Sequence, residues 1–300
     1  MLYADYDHPP YRPPSEAGSL LLRVTRGCPW NQCTFCSMYK DTSFEKRPLD
    51  EIFRDIETAH RIYGAGPRTV FMGDSNSLVL APETLRKILG HLYEHFPATE
   101  RVTSYARART LCKKSVDELR LIRQAGLTRL HVGLETGDAE LLKEIKKGAT
   151  PEQMVEGCLR AKEAGFEVSL YVLAGIGGEE KWQQHADGTA AVLNQVDPHF
   201  IRIRTYVPTP YSPLWDNVQN GSFQLASAET ILREQRRLVD SLHVTSQYLS
   251  DHISNYVPVY GKLPDDKSSM LKTIDKALDD LQGDTRYREV LERKRNLTRL

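Results

Sequence analysis

Short apolar runs rich in β-branched residues alternate with amphipathic helical patterns along most of the chain. In segments such as 49–63 and 85–96, apolar residues recur with the period of roughly 3.6 that is typical of a helix with one buried face. Six apolar runs of strand length lie between such helices and predict strands. They are Leu20–Thr25, Thr69–Gly73, Val102–Tyr105, Arg129–Leu134, Glu167–Leu173 and Phe200–Val207.

This alternation of strands and helices indicates βα units around a parallel sheet. Six units are too few for a complete barrel, so the predicted fold class is α/β, a partial (β/α)6 TIM-like barrel with a C-terminal helical extension. The predicted organisation is an N-terminal arm over 1–19, the barrel core over 20–215, and an extension over 216–300 that caps the barrel. In such folds the chemistry lies at the carboxyl ends of the strands.

Composition and charge narrow the class of protein. Apolar residues make up 40% and charged residues 27% of the 300 residues, as in globular proteins. The 40 basic residues balance 40 acidic ones, which disfavours a strongly basic nucleic-acid-binding protein. Apolar runs fall well short of the roughly 20 residues of a membrane helix, and the acidic, proline-rich start is unlike a signal peptide. We therefore expect a cytoplasmic protein without membrane or nucleic-acid partners.

Three of the five cysteines, Cys28, Cys33 and Cys36, are crowded into one loop directly after the first predicted strand. An odd number of cysteines with this clustering is a poor disulfide framework. Three thiolates on one loop can hold a cubic iron–sulfur cluster and leave its fourth iron without a protein ligand. The alternative is a structural zinc site, which would need a fourth ligand from elsewhere in the fold, such as His60 or Cys112.

Four segments at predicted strand ends resemble motifs of the radical S-adenosylmethionine (radical SAM) superfamily. The cysteine loop carries an aromatic residue, Phe35, before its last cysteine, although four residues rather than the usual three separate its first two cysteines. FMGDSNS (Phe71–Ser77) is similar to a Gly-Gly-Glu-like motif, and HVGLETG (His131–Gly137) to a Gly-Leu-Glu-Ser segment. YVLAGIGGE (Tyr171–Glu179) is similar to the glycine-rich end of the fifth strand.

The order of these motifs identifies the chain as a member of a stand-alone radical SAM subgroup. This subgroup is distantly like the branch that contains the Elp3-like and anaerobic tetrapyrrole-cyclase-type enzymes. The resemblance to the superfamily core covers about residues 20–213 and extends into 252–264.

The resemblance implies two cofactors, a [4Fe-4S] cluster and S-adenosylmethionine. Cys28, Cys33 and Cys36 would be the cluster ligands. Eight residues at or near strand ends would contribute to binding S-adenosylmethionine. They are Phe35, Gly73, Asp74, Asn76, Glu135, Lys147, Ile176 and Arg204.

The family motifs assign roles to several of these residues by position. Asp74 takes the place of a carboxylate that holds the amino group of the ligand, although it also suits an ordinary strand-ending turn. Glu135 would accept hydrogen bonds from the ribose hydroxyls. Lys147 would pair with the carboxylate of the ligand, and the alternative is a lysine on a helix surface. Ile176 would face the adenine, and Arg204 either points into the barrel mouth or lies on an edge strand.

The activity implied by the resemblance is reductive cleavage of S-adenosylmethionine to a 5′-deoxyadenosyl radical, which abstracts hydrogen from an unknown substrate. Such an oxygen-sensitive enzyme would use an external one-electron donor of the flavodoxin or ferredoxin type, and no protein residue is assigned as catalytic. Two alternatives stay open. One is a non-catalytic carrier of the cluster with S-adenosylmethionine, or of a tetrapyrrole, on the same scaffold. The other is a zinc-stabilised α/β protein.

Overall fold

Ten strands and eleven helices are present in the structure, a computed structural model that describes residues 11–64 and 66–295. The strands are β1 Leu20–Arg23, β2 Thr25–Arg26, β3 Glu45–Lys46, β4 Thr69–Gly73, β5 Arg101–Ala106, β6 Leu127–Glu135, β7 Glu167–Ala174, β8 Phe200–Thr205, β9 Gln247–Ser250 and β10 Val259–Lys262. The helices are α1 Leu49–Tyr63, α2 Pro82–His95, α3 Ala108–Cys112, α4 Val116–Gln124, α5 Ala139–Glu144, α6 Pro151–Glu163, α7 Trp182–Val196, α8 Pro213–Gln219, α9 Ala228–Ser241, α10 Lys267–Gly283 and α11 Thr285–Arg295.

Eight of the strands belong to one mostly parallel sheet, in the order β1–β4–β5–β6–β7–β8–β9–β10. By its contacts the chain divides into two compact units. The first contains the residues up to Asn31 together with Met38–Val132 and Glu156–Val168. The second contains Gln32–Ser37, Gly133–Val155 and the chain from Ser169 onward.

In the first unit, β1, β4, β5 and the start of β6 pair in parallel. Val70, Phe71 and Met72 of β4 are fully buried, as expected for a strand covered on both faces. Helices α1 and α2 bury the apolar stripes that the sequence predicts. Helix α4 begins with a capping box, in which Ser115 and Glu118 bond to each other's backbone N–H groups.

In the second unit, β7, β8 and β9 pair in parallel, and β10 pairs antiparallel with β9. The predicted C-terminal extension therefore contributes two strands as well as helices. Helix α9 packs against both α7 and α10. The end of β7 leads into the glycine-rich segment Gly175–Gly178, in which two glycines have positive φ.

All six predicted strands are present, and no predicted end differs from the observed one by more than two residues. The first ends early because the chain changes partner at Val24: its N–H still bonds to the Gly73 carbonyl of β4, but its carbonyl accepts from the N–H of Arg47, and β2 then pairs with β3. The predicted division at 19/20 and 215/216 stays a prediction. Residues 1–10 of the predicted arm and 296–300 of the predicted extension lie outside the described residues. Within the described part of the chain, no helix has both the length and the apolar character to cross a bilayer.

A buried carboxylate from the N-terminal segment lies inside the first unit. Glu16 is fully buried, with Oε1 3.2 Å from Nε2 of His131 on β6. Its Oε2 accepts a 2.7 Å hydrogen bond from the Ser19 hydroxyl, and Arg101 lies 3.5 Å away. Burial by itself raises the pKa of Glu16, but the bonds from His131 and Ser19 and the charges of His131 and Arg101 outweigh it and lower the pKa to about 2.

This pairing predicts a pH-dependent contribution to stability. A carboxylate with a lowered folded-state pKa stabilises the fold above its unfolded pKa, and that contribution is lost as the pH falls toward the folded value. At pH 7, Glu16→Gln should lower the free energy of unfolding by about 1–3 kcal/mol. The difference from the wild type should shrink as the pH falls through about 4 toward 2. Urea unfolding at several pH values measures this difference.

The matched control for this experiment is Glu83→Gln on α2. Glu83 is exposed and makes a surface pair with Arg86, so its removal should change the free energy of unfolding by less than about 0.5 kcal/mol. A Glu16→Gln effect that is the same at every pH would contradict the ionised pair.

Candidate functional site

The cysteine loop follows β2 and contains Cys28, Cys33 and Cys36, all half-buried. All five cysteines of the chain lie within the described residues, and none of them is in a disulfide. The backbone N–H of Asn31 donates to the Sγ of Cys28 over 3.4 Å. Asn31 has φ +50°, and its side-chain amide donates to the Tyr39 carbonyl over 2.6 Å. The loop is thus folded back on itself around the first thiol.

Asp74 fixes the start of this loop within the first unit. Its side chain is almost fully buried, and Oδ1 accepts a 3.1 Å bond from Nε of Arg23, which is also buried. Its Oδ2 accepts a 3.0 Å bond from the N–H of Gly27, the residue before the first cysteine. Ser75 adds a hydrogen bond from its hydroxyl to the Gly27 carbonyl. In this structure the Asp74 carboxylate therefore positions the loop, and its predicted contact with an amino group stays a prediction.

Asn76 also lies inside the first unit. Gly73, at the end of β4, precedes Asp74 through a cis peptide bond. The buried Asn76 side chain donates to Thr110 Oγ1 over 2.9 Å and accepts from the N–H of Arg107 over 3.3 Å. It therefore links the segment after β4 to the segment after β5. The guanidinium of Arg107 lies 5.2 Å from the ring centroid of Trp30 in the cysteine loop.

The second half of the loop is held within the second unit. The N–H of Thr34 donates to the Ile145 carbonyl over 3.0 Å, and the Thr34 carbonyl accepts from the N–H of Leu214 over 2.8 Å. Phe35 packs against a buried apolar cluster that contains Ile145 and Ile176. The structure thus brings two of the predicted cofactor-binding residues, Phe35 and Ile176, to one apolar cluster. These backbone hydrogen bonds hold Thr34, the residue between Cys33 and Phe35.

Glu135 and Lys147 form an ion pair in the second unit, with 2.7 Å between Oε1 and Nζ. Glu135 ends β6 with φ +63°. A side chain at Gly133 would place its Cβ 2.2 Å from Oε1 of Glu135 and 2.8 Å from Nζ of Lys147, so both ends of the pair would have to shift. The Lys147 ammonium also lies 5.9 Å from the ring centroid of Phe35. Two predicted ligand-binding residues of opposite charge therefore lie together beside the Phe35 ring.

Arg204 on β8 lies over the ring of Tyr171, with 5.2 Å between the guanidinium carbon and the ring centroid. Its Nη2 is buried and has no hydrogen-bond partner among the described residues. Burial, and then the positive charge of Arg204, lower the pKa of His252 to about 4. The Arg204 guanidinium therefore lies near Tyr171 and His252 within the second unit, and its Nη2 group is available to donate a hydrogen bond.

A glutamate that the sequence analysis does not single out holds the glycine-rich turn after β7. Glu234 on α9 is almost fully buried, and its Oε1 accepts a 3.0 Å bond from the N–H of Gly175. The buried His185 on α7 lies 3.4 Å away. Burial raises the pKa of Glu234 to about 8 and lowers that of His185 to about 3, so both are neutral at pH 7 and the contact is not an ion pair. The signal in the sequence is a carboxylate inside the apolar stripe that Ile231 and Leu238 define.

The Asp74 contacts predict a large effect on stability. Asp74→Asn keeps the shape of the side chain but removes the negative charge that faces the buried Arg23 guanidinium, so the free energy of unfolding should fall by about 3–5 kcal/mol. Denaturant unfolding monitored by circular dichroism measures the change. Asp50→Asn is the control because Asp50 pairs with Arg54 on the exposed surface of α1. Equal effects of the two variants would contradict the anchoring role.

The neutral Glu234 predicts a different pH profile. Between about pH 4.5 and about 8 the folded Glu234 keeps a proton that the unfolded chain releases, so the contribution of Glu234 to stability falls as the pH rises and levels off above about 8. Glu234→Gln removes this slope and retains an acceptor for Gly175. The free energy of unfolding of the variant relative to the wild type should rise from pH 5 to pH 8, by on the order of 1 kcal/mol per pH unit.

Thermal or urea unfolding across this range tests the expected slope. Glu229→Gln, at an exposed position of the same helix, should follow the wild-type profile. A constant difference between Glu234→Gln and the wild type would indicate that Glu234 is ionised throughout the range.

Comparison with known proteins gives three informative similarities. The chain is 24% identical over 204 residues to the heme chaperone HemW of Bacillus subtilis (strain 168), covering 66% of this chain and 53% of that protein. It is 26% identical over 235 residues to the biotin synthase of Salinispora tropica, covering 74% and 67%. The crystal structure of methylornithine synthase (PylB) superposes with a TM-score of 0.52 at 20% identity, over 75% of this chain and 63% of that one. This superposition confirms the predicted fold class.

The chain spans about half the length of the first curated relatives it matches. The placement beside the Elp3-like branch stays a prediction. At the level of the family, the Radical SAM superfamily matches residues 22–187, from the second half of β1 into α7. Because that match covers more than half of the chain, this protein belongs to the Radical SAM superfamily.

Proposed function

We propose that this protein is a radical SAM enzyme that holds a [4Fe-4S] cluster through Cys28, Cys33 and Cys36 and binds S-adenosylmethionine beside it. The observation that carries the proposal is the set of three half-buried cysteines on one loop, none of them in a disulfide, in a chain whose family match begins just before that loop. Three protein thiolates suit a cubane that keeps one iron open for a small-molecule ligand.

The surroundings of the thiols fit such a cluster. Contacts within the first unit fix the backbone before and after Cys28, through Asp74 on Gly27 and through Asn31. Contacts within the second unit fix Thr34, which lies between the other two cysteines. The N–H of Asn31 that points at the Cys28 sulfur is the kind of donor that stabilises a ligating thiolate and tunes cluster potential.

The residues proposed for S-adenosylmethionine supply complementary chemistry. Glu135 offers carboxylate oxygens for hydroxyl groups, and Lys147 offers a cation for a carboxylate. Both are about 15% exposed, so each retains access to a ligand while the other holds it in place. Phe35 is half-buried and packs against the buried apolar cluster that contains Ile176, so its ring could offer an apolar face to a flat heterocycle.

When bound, the reduced cluster and S-adenosylmethionine together supply the radical chemistry that removes a hydrogen atom from a substrate. The chain contributes position and exclusion of water: Asp74 orients the cysteine loop, and Glu234 holds the glycine-rich turn next to Ile176. An external one-electron donor of the flavodoxin or ferredoxin type would complete the system. The substrate would be a small or macromolecular partner that the chain itself does not identify.

A second candidate function is a non-catalytic carrier on the same scaffold. The similarity to a heme chaperone over 66% of this chain supports it. Such a carrier would bind the cluster with S-adenosylmethionine, or a tetrapyrrole, without turnover. The two functions differ in whether S-adenosylmethionine is cleaved when the protein is reduced.

Anaerobic reconstitution with iron and sulfide tests the enzyme proposal. We expect iron and acid-labile sulfide at cubane stoichiometry, an electron paramagnetic resonance signal that shifts on adding S-adenosylmethionine, and 5′-deoxyadenosine in the reduced sample. Cys33→Ser should lower the iron content and the 5′-deoxyadenosine yield at least about tenfold, because it removes a cluster ligand.

The matched control is Cys112→Ser, a half-buried cysteine outside the loop whose thiol pKa is raised by burial. It should retain the cluster and the product yield. A cluster that binds S-adenosylmethionine without forming 5′-deoxyadenosine would favour the carrier, with heme binding as the next assay. Zinc in place of iron and sulfide at the cysteines would overturn both.

A further inference from the structure

We infer that helices α1 and α2 carry a binding site for a divalent transition-metal cation, formed by Glu57, His91 and His95, which shares no residue with the cysteine loop. One donor atom from each of these three side chains lies within 4.8 Å of the other two. His91 and His95 are four residues apart on α2 and so project from the same face of that helix. Glu57 comes from α1, which packs against α2 in the first unit.

The spacing of the donor atoms is close to that of a metal site. Nε2 of His91 lies 3.4 Å from Oε1 of Glu57. Two ligands at about 2.0–2.1 Å from a tetrahedral zinc ion are about 3.3–3.4 Å apart. Nε2 of His91 is buried and makes no hydrogen bond among the described residues. This nitrogen therefore lies at the distance from the Glu57 carboxylate that separates two ligands of one metal ion, and its lone pair could bind a cation.

The second nitrogen of His95 is hydrogen-bonded, and that of His91 faces a carboxylate, as in many metal sites. Nδ1 of His95 lies 2.9 Å from the His91 carbonyl, which can only accept, so Nδ1 carries the proton and the Nε2 lone pair is free. Nδ1 of His91 faces Oε2 of Glu94 at 3.6 Å. A carbonyl or carboxylate on the far nitrogen orients a ligating imidazole and raises its basicity.

Packed rings hold the imidazoles in place. The His91 ring lies 4.3 Å from the Phe53 ring and 4.4 Å from the His95 ring, centroid to centroid. The His60 ring meets the His95 ring edge to face at 5.4 Å. Both ligand rings are half-buried and Glu57 is exposed, so solvent can deliver a cation to a partly formed site.

The donor set selects the class of cation. Two imidazole nitrogens and one carboxylate suit zinc and other late first-row divalent ions, whereas calcium and magnesium prefer oxygen ligands alone. Three protein ligands leave a fourth position for water or an anion. Because its ligands come from two helices, a bound ion would tie α1 to α2 and stabilise the folded state.

Zinc titration of the full-length chain tests this inference, with calorimetry as the readout. Binding is measured in the reconstituted protein and in a variant with Cys28→Ser, Cys33→Ser and Cys36→Ser, which has no thiolates in the loop. We expect one zinc ion per chain at the helices in both proteins. The result is thus separated from the proposed function, because the triple variant binds zinc even if no cluster forms.

Single substitutions in the triple-serine background identify the ligands. His91→Gln, His95→Gln and Glu57→Gln should each weaken zinc binding at least about tenfold, and added zinc should no longer raise the unfolding temperature. Glu57 is half-exposed, so its variant tests the site without disturbing the core. His243→Gln, at an exposed position in the second unit, is the matched control and should bind zinc like the parent.

Cobalt(II) provides an independent spectroscopic readout. Bound at these helices, it should show weak visible bands without the near-ultraviolet charge-transfer band of a thiolate ligand. Zinc binding that is equal in the His91→Gln and His243→Gln variants would overturn the site. So would the loss of stoichiometric binding on replacing the three cysteines.

Discussion

A buried ion pair at the end of β4 fixes the point from which the cysteine loop begins. Removing Arg23 and Asp74 from water costs several kcal/mol per ion, and their mutual attraction offsets this only when the remaining polar atoms are also satisfied. Here the second carboxylate oxygen accepts the N–H of Gly27, and the Asp74 N–H donates to Thr25. The first thiol of the loop therefore follows a stretch of backbone that is hydrogen-bonded to the end of β4.

In the second unit, the space left by the missing side chain of Gly133 accommodates an ion pair. Glu135 and Lys147 occupy the space that any side chain at residue 133 would fill, so one glycine permits the contact between them. The buried apolar cluster that contains Ile176, with Phe35 packed against it, lies in the same unit and supplies the apolar part of the environment. Charge, hydrogen bonding and apolar contact are thus available to a ligand from a small number of strand ends, which is how βα folds generally build their sites.

Glu16 and Glu234 are both buried, but their hydrogen-bond partners and neighbouring charges shift the pKa of the two carboxyl groups in opposite directions. Glu16 receives bonds from His131 and Ser19 and lies near Arg101, so it stays ionised at low pH. Glu234 has one backbone N–H from Gly175 and a neutral histidine beside it, so burial dominates and it stays protonated at neutral pH. One carboxylate is thus a fixed charge inside the first unit, and the other is a neutral acceptor under a glycine turn.

The sequence by itself determined the six βα strands and the three-thiol loop, because these depend on residue period and on spacing over a few positions. It also indicated the family, because each motif is a short run that follows a strand. Only the tertiary structure decided that Asp74 turns inward to the loop, that the extension adds β9 to the parallel sheet, and that Glu234 is buried. It also brought Glu57 to the histidines of α2. These outcomes depend on partners distant in sequence and on the cost of removing charge from water, and packing sets both.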